Sequence, residues 1–281
     1  MIKKKTLKLS PKPLKPKNSP KARPAAASAK PAPKPQENSM RLNHYISSAG
    51  ISSRRRADEL IKLGKVKVNS KLVTELGVQI NPLKDRVLVD GKIVSLRARN
   101  LYLVLNKPKD TITTVKDEIG RTTVLDYVKT HDRIYPVGRL DRNTTGVLLL
   151  TNDGDLTLRL THPKYEIERE DHVTLDKPLL LKDAEKIAKG GVDIGRGNIT
   201  SAIYLAVSKK DTKDVTVVIK EGKYREVRRL FEAFGYDVRK LDRTVFAGIS
   251  HSGMKRGDVR TLTPTEVRRL KRLVGIEESY R

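Results

Sequence analysis

The chain has 281 residues, with 59 Lys and Arg against 33 Asp and Glu, a formal net charge of +26 at pH 7. That excess excludes indifference to polyanions and makes a nucleic acid the first partner class to weigh. Cysteine is absent, which excludes disulfides, thiolate nucleophiles, iron–sulfur clusters and Cys-ligated zinc together.

Hydrophobic residues make up 37% of the chain, enough for a core, and the length corresponds to about two domains. Aromatic residues are only 4%, with no Trp, so that core must be built from Leu, Val and Ile. The longest apolar runs, 101–105 and 147–150, fall far short of the roughly 20 residues that span a bilayer. The basic start is followed by no apolar signal segment. The expectation is a soluble, cytoplasmic protein with no membrane partner.

Residues 1–39 differ from the rest. They hold ten Lys, one Arg and one acid, together with eight of the fourteen prolines. Such a stretch cannot bury enough apolar surface to offset chain entropy, so a disordered basic Lys/Pro-rich tail is predicted, able to gain RNA affinity by releasing counterions. Without it the chain still carries +16.

From Arg41 the pattern becomes helical. Leu42, Tyr45, Ile46 and Ala49 recur at i, i+3, i+4 and i+7, and Gly50 stops the helix. Ser52 or Ser53 can cap a second helix over 54–63, with Ala57, Leu60 and Ile61 inward. Its first turn is Arg54, Arg55 and Arg56, three cations that oppose the helix dipole unless an anion neutralises them. Alternating Val66 and Val68, an Asn69-Ser70 turn, and short strands at 87–89 and 93–94 joined at Asp90-Gly91 complete a module over 40–97.

The run from Arg41 to Asn69, with its Ala-Gly-x-x-Ser-Arg-Arg core, resembles the S-four RNA-binding domain. The resemblance implies that the basic second helix is the RNA face, with Arg41, Ser53, Arg54, Arg55, Arg56, Lys65 and Lys67 as RNA-binding residues. A helix-turn-helix DNA reader fits less well, because a sheet follows the second helix.

A second domain is predicted over 101–281. It opens on a buried strand at 101–105, followed by Asn106-Lys107-Pro108. Strands near 146–151, 173–175, 202–207 and 215–220 are interspersed irregularly with helices near 182–189, 225–234 and 265–273. That order points to an α+β fold with a largely antiparallel mixed sheet.

There is no His-Glu-x-x-His, no Walker phosphate loop and no Gly-x-Gly-x-x-Gly after a strand, and the five His are scattered. What remains is the segment from Tyr135 to Gly154. Its Gly-Arg-Leu-Asp turn leads into a buried strand and puts one carboxylate, Asp141, on a rigidly anchored loop. From spacing alone an Asx turn, in which Asp141 merely caps its own backbone, is the better reading. On the later helix, at about 100° per residue, Val227, Leu230, Phe231 and Phe234 share one face and Arg225, Arg228 and Arg229 the other.

The Gly-Arg-Leu-Asp-x-Asn-Thr-x-Gly string resembles the signature of pseudouridine synthases. With the S-four module and Asn106-Lys107-Pro108 it is similar to the branch that modifies ribosomal RNA. The resemblance implies isomerisation of a uridine with Asp141 as nucleophile, Arg139 helping to extrude the nucleotide and Arg228 pairing with Asp141. Arg225 and Arg229 would meet phosphate, and Asn106 and Lys107 would belong to the RNA-binding set. A carboxylate suits this chemistry because it can bond to, or deprotonate, the ribose of a flipped nucleotide with no cofactor and no metal.

Two positions depart from that family: Glu226, more mildly, stands where an amide is usual beside the Arg cluster, and the other is Asp171. Asp171 stands where a Tyr that packs on the target base is usual, which makes it a candidate proton acceptor beside Asp141. Replacing Asp171 by Tyr is expected to restore a stacking surface and raise turnover. The expected partner is ribosomal RNA or a ribosomal subunit precursor, bound by a monomer. The rival is a non-catalytic RNA-binding or assembly protein that keeps the synthase fold.

Overall fold

The computed structural model describes residues 38–96 and 99–276, so the expectation of a tail over 1–39 falls almost wholly outside the described residues. Both predicted domains lie within one unit that begins at Asn38.

In the N-terminal module, β1 (Met40–Arg41) leads into α1 (Leu42–Ser48) and α2 (Arg54–Lys62). Ser53 is the cap: its hydroxyl accepts the Arg56 N–H at 3.1 Å. The apolar faces read from the sequence bury Leu42, Tyr45 and Ile46 against Ala57, Leu60 and Ile61. They close over a sheet of β2 (Val66–Val68), β3 (Lys71–Val73), β5 (Val87–Val89) and β6 (Lys92–Val94), all antiparallel in the order β3-β2-β5-β6. Asn69 and Ser70 both take positive φ, the geometry of a tight hairpin, and β3 is the return strand. β4 (Gln79–Ile80) pairs with β1.

The second part begins with β7 (Tyr102–Lys107), β8 (Tyr135–Pro136), β9 (Thr145–Thr151) and α3 (Gly154–Thr161). β10 (Arg169–Leu175), α4 (Leu181–Lys189), β11 (Tyr204–Val207), β12 (Asp214–Ile219) and α5 (Glu226–Glu232) follow. β13 (Val238–Phe246), β14 (Ile249–Ser250), β15 (Val259–Thr261) and α6 (Pro264–Leu273) complete it. The sheet runs β11-β12-β10-β13-β9-β7-β15, with β8 on β9 and β14 on β13. The expected mixed, largely antiparallel sheet is what forms, and its parallel pair is β13 with β9.

At that seam Gly146 lies opposite Arg243. Its φ is +105°, and a Cβ there would fall on the Arg243 carbonyl, with Arg243 N only 2.7 Å away. Only glycine lets the two backbones approach this closely. One core packs α4 and α5 on β10 and β12 through Ile187, Leu230, Phe231, Val173 and Val217. Another packs α3 and α6 on β7 and β9 through Leu156, Leu160, Leu270, Val104 and Leu149. The site lies where the two halves of the sheet meet.

Two sequence expectations need correction. The helix read over 225–234 is shorter, because Arg225 takes the left-handed conformation (φ 50°) and the helix starts only at Glu226. β13 and α3 were not anticipated at all, although β13 is the strand that joins the two halves of the sheet.

Candidate active site

The loop 138–144 between β8 and β9 carries Asp141, and it is held from beneath by Lys107 at the end of β7. Lys107 is 0% exposed. Its ammonium donates to the carbonyls of Asp141 (3.1 Å), Arg142 (3.1 Å), Thr144 (2.8 Å) and Pro108 (3.1 Å). Burial lowers its pKa to about 8, opposed by the charges of Asp141 and Asp110. A cation with every donor turned to the chain's own backbone has none left for phosphate, so Lys107 leaves the RNA-binding set. Asn106 leaves it for the same reason: it is buried, donates to Met254 O at 2.9 Å and accepts from Arg256. Lys107 shapes the loop of Asp141, and Asn106 ties β7 to the segment at Met254 and Arg256.

The Asp141 side chain is 39% exposed and faces two guanidiniums, Arg225 Nη1 at 3.5 Å and Arg228 Nε at 3.9 Å. The turn is closed by the backbone, Thr144 N–H to Asp141 O at 3.1 Å. The carboxylate is therefore turned to cations rather than capping its own chain, which removes the Asx-turn reading. Arg228 is fixed by a bond from Nη1 to Val238 O at 2.8 Å. Its Nε is buried and makes no hydrogen bond, leaving a donor aimed at the carboxylate just beyond bonding range. Burial, then the neighbouring Arg225, lower the Arg228 pKa, while Asp141 raises it. Arg225 comes nearer to Asp141 than Arg228 does, so the division into a counterion at 228 and a phosphate contact at 225 is less sharp than expected.

Asp141 and Arg225, but not Arg228, line a cleft of about 870 Å³ that also takes in Arg139, Arg169, Asp171, Arg243 and Phe246. Arg139 is exposed on its wall. Arg229 is not among the lining residues; its guanidinium lies against the backbone of Gly195. Asp171 does line the cleft, yet it is 1% exposed and held side-on by Arg243, Nε to Oδ1 at 3.0 Å and Nη2 to Oδ2 at 3.2 Å. Both its oxygens are engaged, so it is no free second carboxylate beside Asp141. Sequence reading missed Arg169, Arg243 and Phe246, since no motif contains them. Arg169 is buried, donates to the Ile167, Lys220 and Glu221 carbonyls and lies 5.6 Å from the Phe246 ring centre. Its pKa is lowered to about 10, first by burial and then by Arg243.

In the N-terminal module Arg41, Arg54, Arg55 and Lys67 are exposed. Arg56 pairs with Glu59 at 2.6 Å and Lys65 with Asp90 at 3.4 Å, while Ser53 is occupied as a helix cap. Arg133 of the second part donates to Ser52 O at 2.9 Å, a direct link between the basic module and the segment leading to β8. Among the described residues no cluster of three or more His, Asp or Glu could hold a metal ion. No described helix is long and apolar enough to cross a membrane.

Comparison with known proteins supplies the context for this geometry. The model of the RNA pseudouridylate synthase family matches residues 101–233, and that of the S4 domain matches residues 40–82. The "Ribosomal large subunit pseudouridine synthase B" of Bacillus subtilis is 44% identical over 83% of this chain and 96% of its own length. The "Dual-specificity RNA pseudouridine synthase RluF" of Escherichia coli is 38% identical over 85% of this chain and 80% of its own. A crystal structure of a pseudouridylate synthase superposes with a TM-score of 0.61 at 29% identity, over 82% of this chain and 99% of that one.

Proposed function

Because the chain belongs to the RNA pseudouridine synthase family, we propose that it converts a uridine of ribosomal RNA to pseudouridine, with Asp141 as nucleophile and the target base flipped into the cleft. The names of the similar proteins from Bacillus subtilis and Escherichia coli support RNA as substrate, the former specifying the large ribosomal subunit. The observation that carries the reading is the setting of Asp141, a half-exposed carboxylate on a caged backbone between Arg225 and Arg228.

In the reaction the bond from N1 to the ribose breaks, the base turns, and a bond from carbon 5 to the same ribose carbon replaces it. The carbon 5 hydrogen is released as a proton and N1 takes one up. Asp141 acts on the ribose, bonding to it or removing a proton from it, and no cofactor or metal is required. Flipping costs unstacking energy that the cleft must return. Arg139, exposed beside Asp141, fills the gap left in the RNA. Arg41, Arg54, Arg55 and Lys67 of the basic module fix the register by meeting phosphates, which carry no sequence information themselves. The enzyme acts as a monomer, since one chain holds both the module and the complete cleft.

The test is release of tritium from a large-subunit rRNA transcript labelled at carbon 5 of uridine. Wild-type protein is expected to release it in step with pseudouridine formation. Binding without release would favour the rival, a non-catalytic assembly protein with the same fold.

A further inference from the structure

We propose that Arg243 is the stacking platform for the flipped uracil, and that Asp171 is a positioning residue that holds the guanidinium plane in place. The inference rests on the proposed function and names the surface on which that reaction's base is received.

A cleft that accepts a uracil ring needs a flat surface, because single-stranded bases are held by stacking on aromatic side chains or on guanidinium planes. Among the residues lining this cleft the candidates for an aromatic surface are Tyr224 and Phe246. Tyr224 is an exposed rim residue with the Arg196 guanidinium 5.8 Å from its ring centre. Phe246 is buried, and its ring is flanked by two guanidiniums, Arg169 at 5.6 Å and Arg243 at 6.0 Å. Phe246 is thus closed to a base, and Tyr224 stands on the exposed rim, away from the clamped seam. Of the guanidiniums that line the cleft, Arg225 faces Asp141, Arg142 faces Asp110, Arg169 is buried against backbone carbonyls and Arg139 is exposed; Arg243 is the one whose plane is clamped by a carboxylate.

Its geometry is that of a fixed plane rather than a mobile cation. Nε and Nη2 meet the two oxygens of Asp171, a bidentate arrangement that removes the rotational freedom of the guanidinium. Asp171 sits across the β10–β13 pair, opposite Arg243 in register, so both Cα atoms are set by the sheet. Arg243 is in turn the residue whose backbone abuts Gly146, two positions after the end of the Asp141 loop. The platform and the nucleophile are thus tied to one seam. A carboxylate at position 171 is then no defect: it supplies the clamp that a guanidinium platform needs.

The consequence reverses the expectation for Asp171→Tyr. That change removes the clamp and leaves a half-buried guanidinium without its partner, so turnover falls.

The decisive comparison is between Arg243→Lys and wild type on a large-subunit rRNA transcript tritiated at carbon 5 of uridine. Lysine keeps the charge and an ion pair with Asp171 but has no plane. Stacking acts after the RNA has docked, because the base flips within the bound complex, so its loss lowers kcat and leaves KM nearly unchanged. A kcat reduced about tenfold or more, with KM within about twofold, is expected. The double variant Asp171→Asn with Arg243→Gln keeps a flat, hydrogen-bonded pair without charges and should retain more turnover than Arg243→Lys; thermal unfolding confirms that both fold. An Arg243→Lys enzyme with wild-type kcat, or one with raised KM alone, overturns the platform, the second result marking Arg243 as a phosphate contact. If Arg243→Lys is unfolded, the double variant decides: folded and inactive, it overturns the proposal. Absence of tritium release from wild type, or its persistence in Asp141→Asn, is a failure of the proposed function instead.

Discussion

The ammonium of Lys107 reaches the backbone carbonyl of Asp141 at 3.1 Å, so the residue proposed to do the chemistry is positioned by a cation that never meets solvent. Three further carbonyls, from Pro108, Arg142 and Thr144, complete the cage. Lys107→Met fills much the same volume but leaves these acceptors without a donor. A loss of about 1–3 kcal/mol in stability and a lower kcat are expected, measured by denaturant unfolding and by tritium release. Unchanged kcat would show that the loop holds its shape without the cage.

The same lysine gives a pH signature with opposite signs for activity and stability. Its folded pKa is lowered to about 8 by burial, below the ordinary 10.5. Between those values the unfolded chain binds more protons than the folded one at this site, so the site's contribution to stability rises with pH across that window. Activity falls over the same range as the ammonium loses the charge that binds the loop. The difference between wild type and Lys107→Met, in melts and in kcat from pH 7 to about 10.5, isolates both effects. A kcat that follows stability upward would contradict the role given to the charge.

Arg228 carries a buried Nε aimed at Asp141 from 3.9 Å, whereas Arg225 approaches from a more exposed position. A slight closure on RNA would turn the first into a charge-assisted hydrogen bond, of the kind that contributes about 1.5–3 kcal/mol. Arg228→Ala is therefore expected to lower kcat by about tenfold to a hundredfold. Arg225→Ala should act mainly on KM for RNA. The reverse assignment in steady-state kinetics would show that Arg225 is the working counterion.

In the basic module Arg54 and Arg55 are exposed, but Arg56 already has Glu59 as partner at 2.6 Å. Arg54→Ala with Arg55→Ala should flatten the dependence of log affinity on log salt by about two units or less. Arg56→Ala should change it little. Equal effects from all three would mean that Glu59 yields its arginine to phosphate.

Much of this was legible in the sequence where local pattern and packing agree. The faces of α1 and α2 and the buried face of α5 follow directly from Leu42, Tyr45, Ile46, Ala57, Leu60, Ile61, Val227, Leu230 and Phe231, all of them buried. β13 was hidden because Arg239, Lys240, Asp242 and Arg243 interrupt any alternation, yet it lies inside the sheet, with Arg243 lining the cleft and Arg239 and Lys240 exposed. α3 was hidden because its cap, Asp153 before Gly154, reads as a turn. Lys107 was placed in the RNA-binding set because its anchoring carbonyls at Asp141, Arg142 and Thr144 are more than thirty residues away in the chain. Asp171 was legible as a departure but not as half of a pair, since Arg243 lies 72 residues further on.

The central claim is that Asp141 performs the chemistry, and Asp141→Asn tests it most directly. The amide keeps the shape of the side chain and removes its charge and nucleophilicity. On a large-subunit rRNA transcript tritiated at carbon 5 of uridine, the variant is expected to release no tritium while its affinity for the transcript stays within about twofold of wild type. Turnover retained by Asp141→Asn, with pseudouridine mapped at the same position as in wild type, would contradict the account.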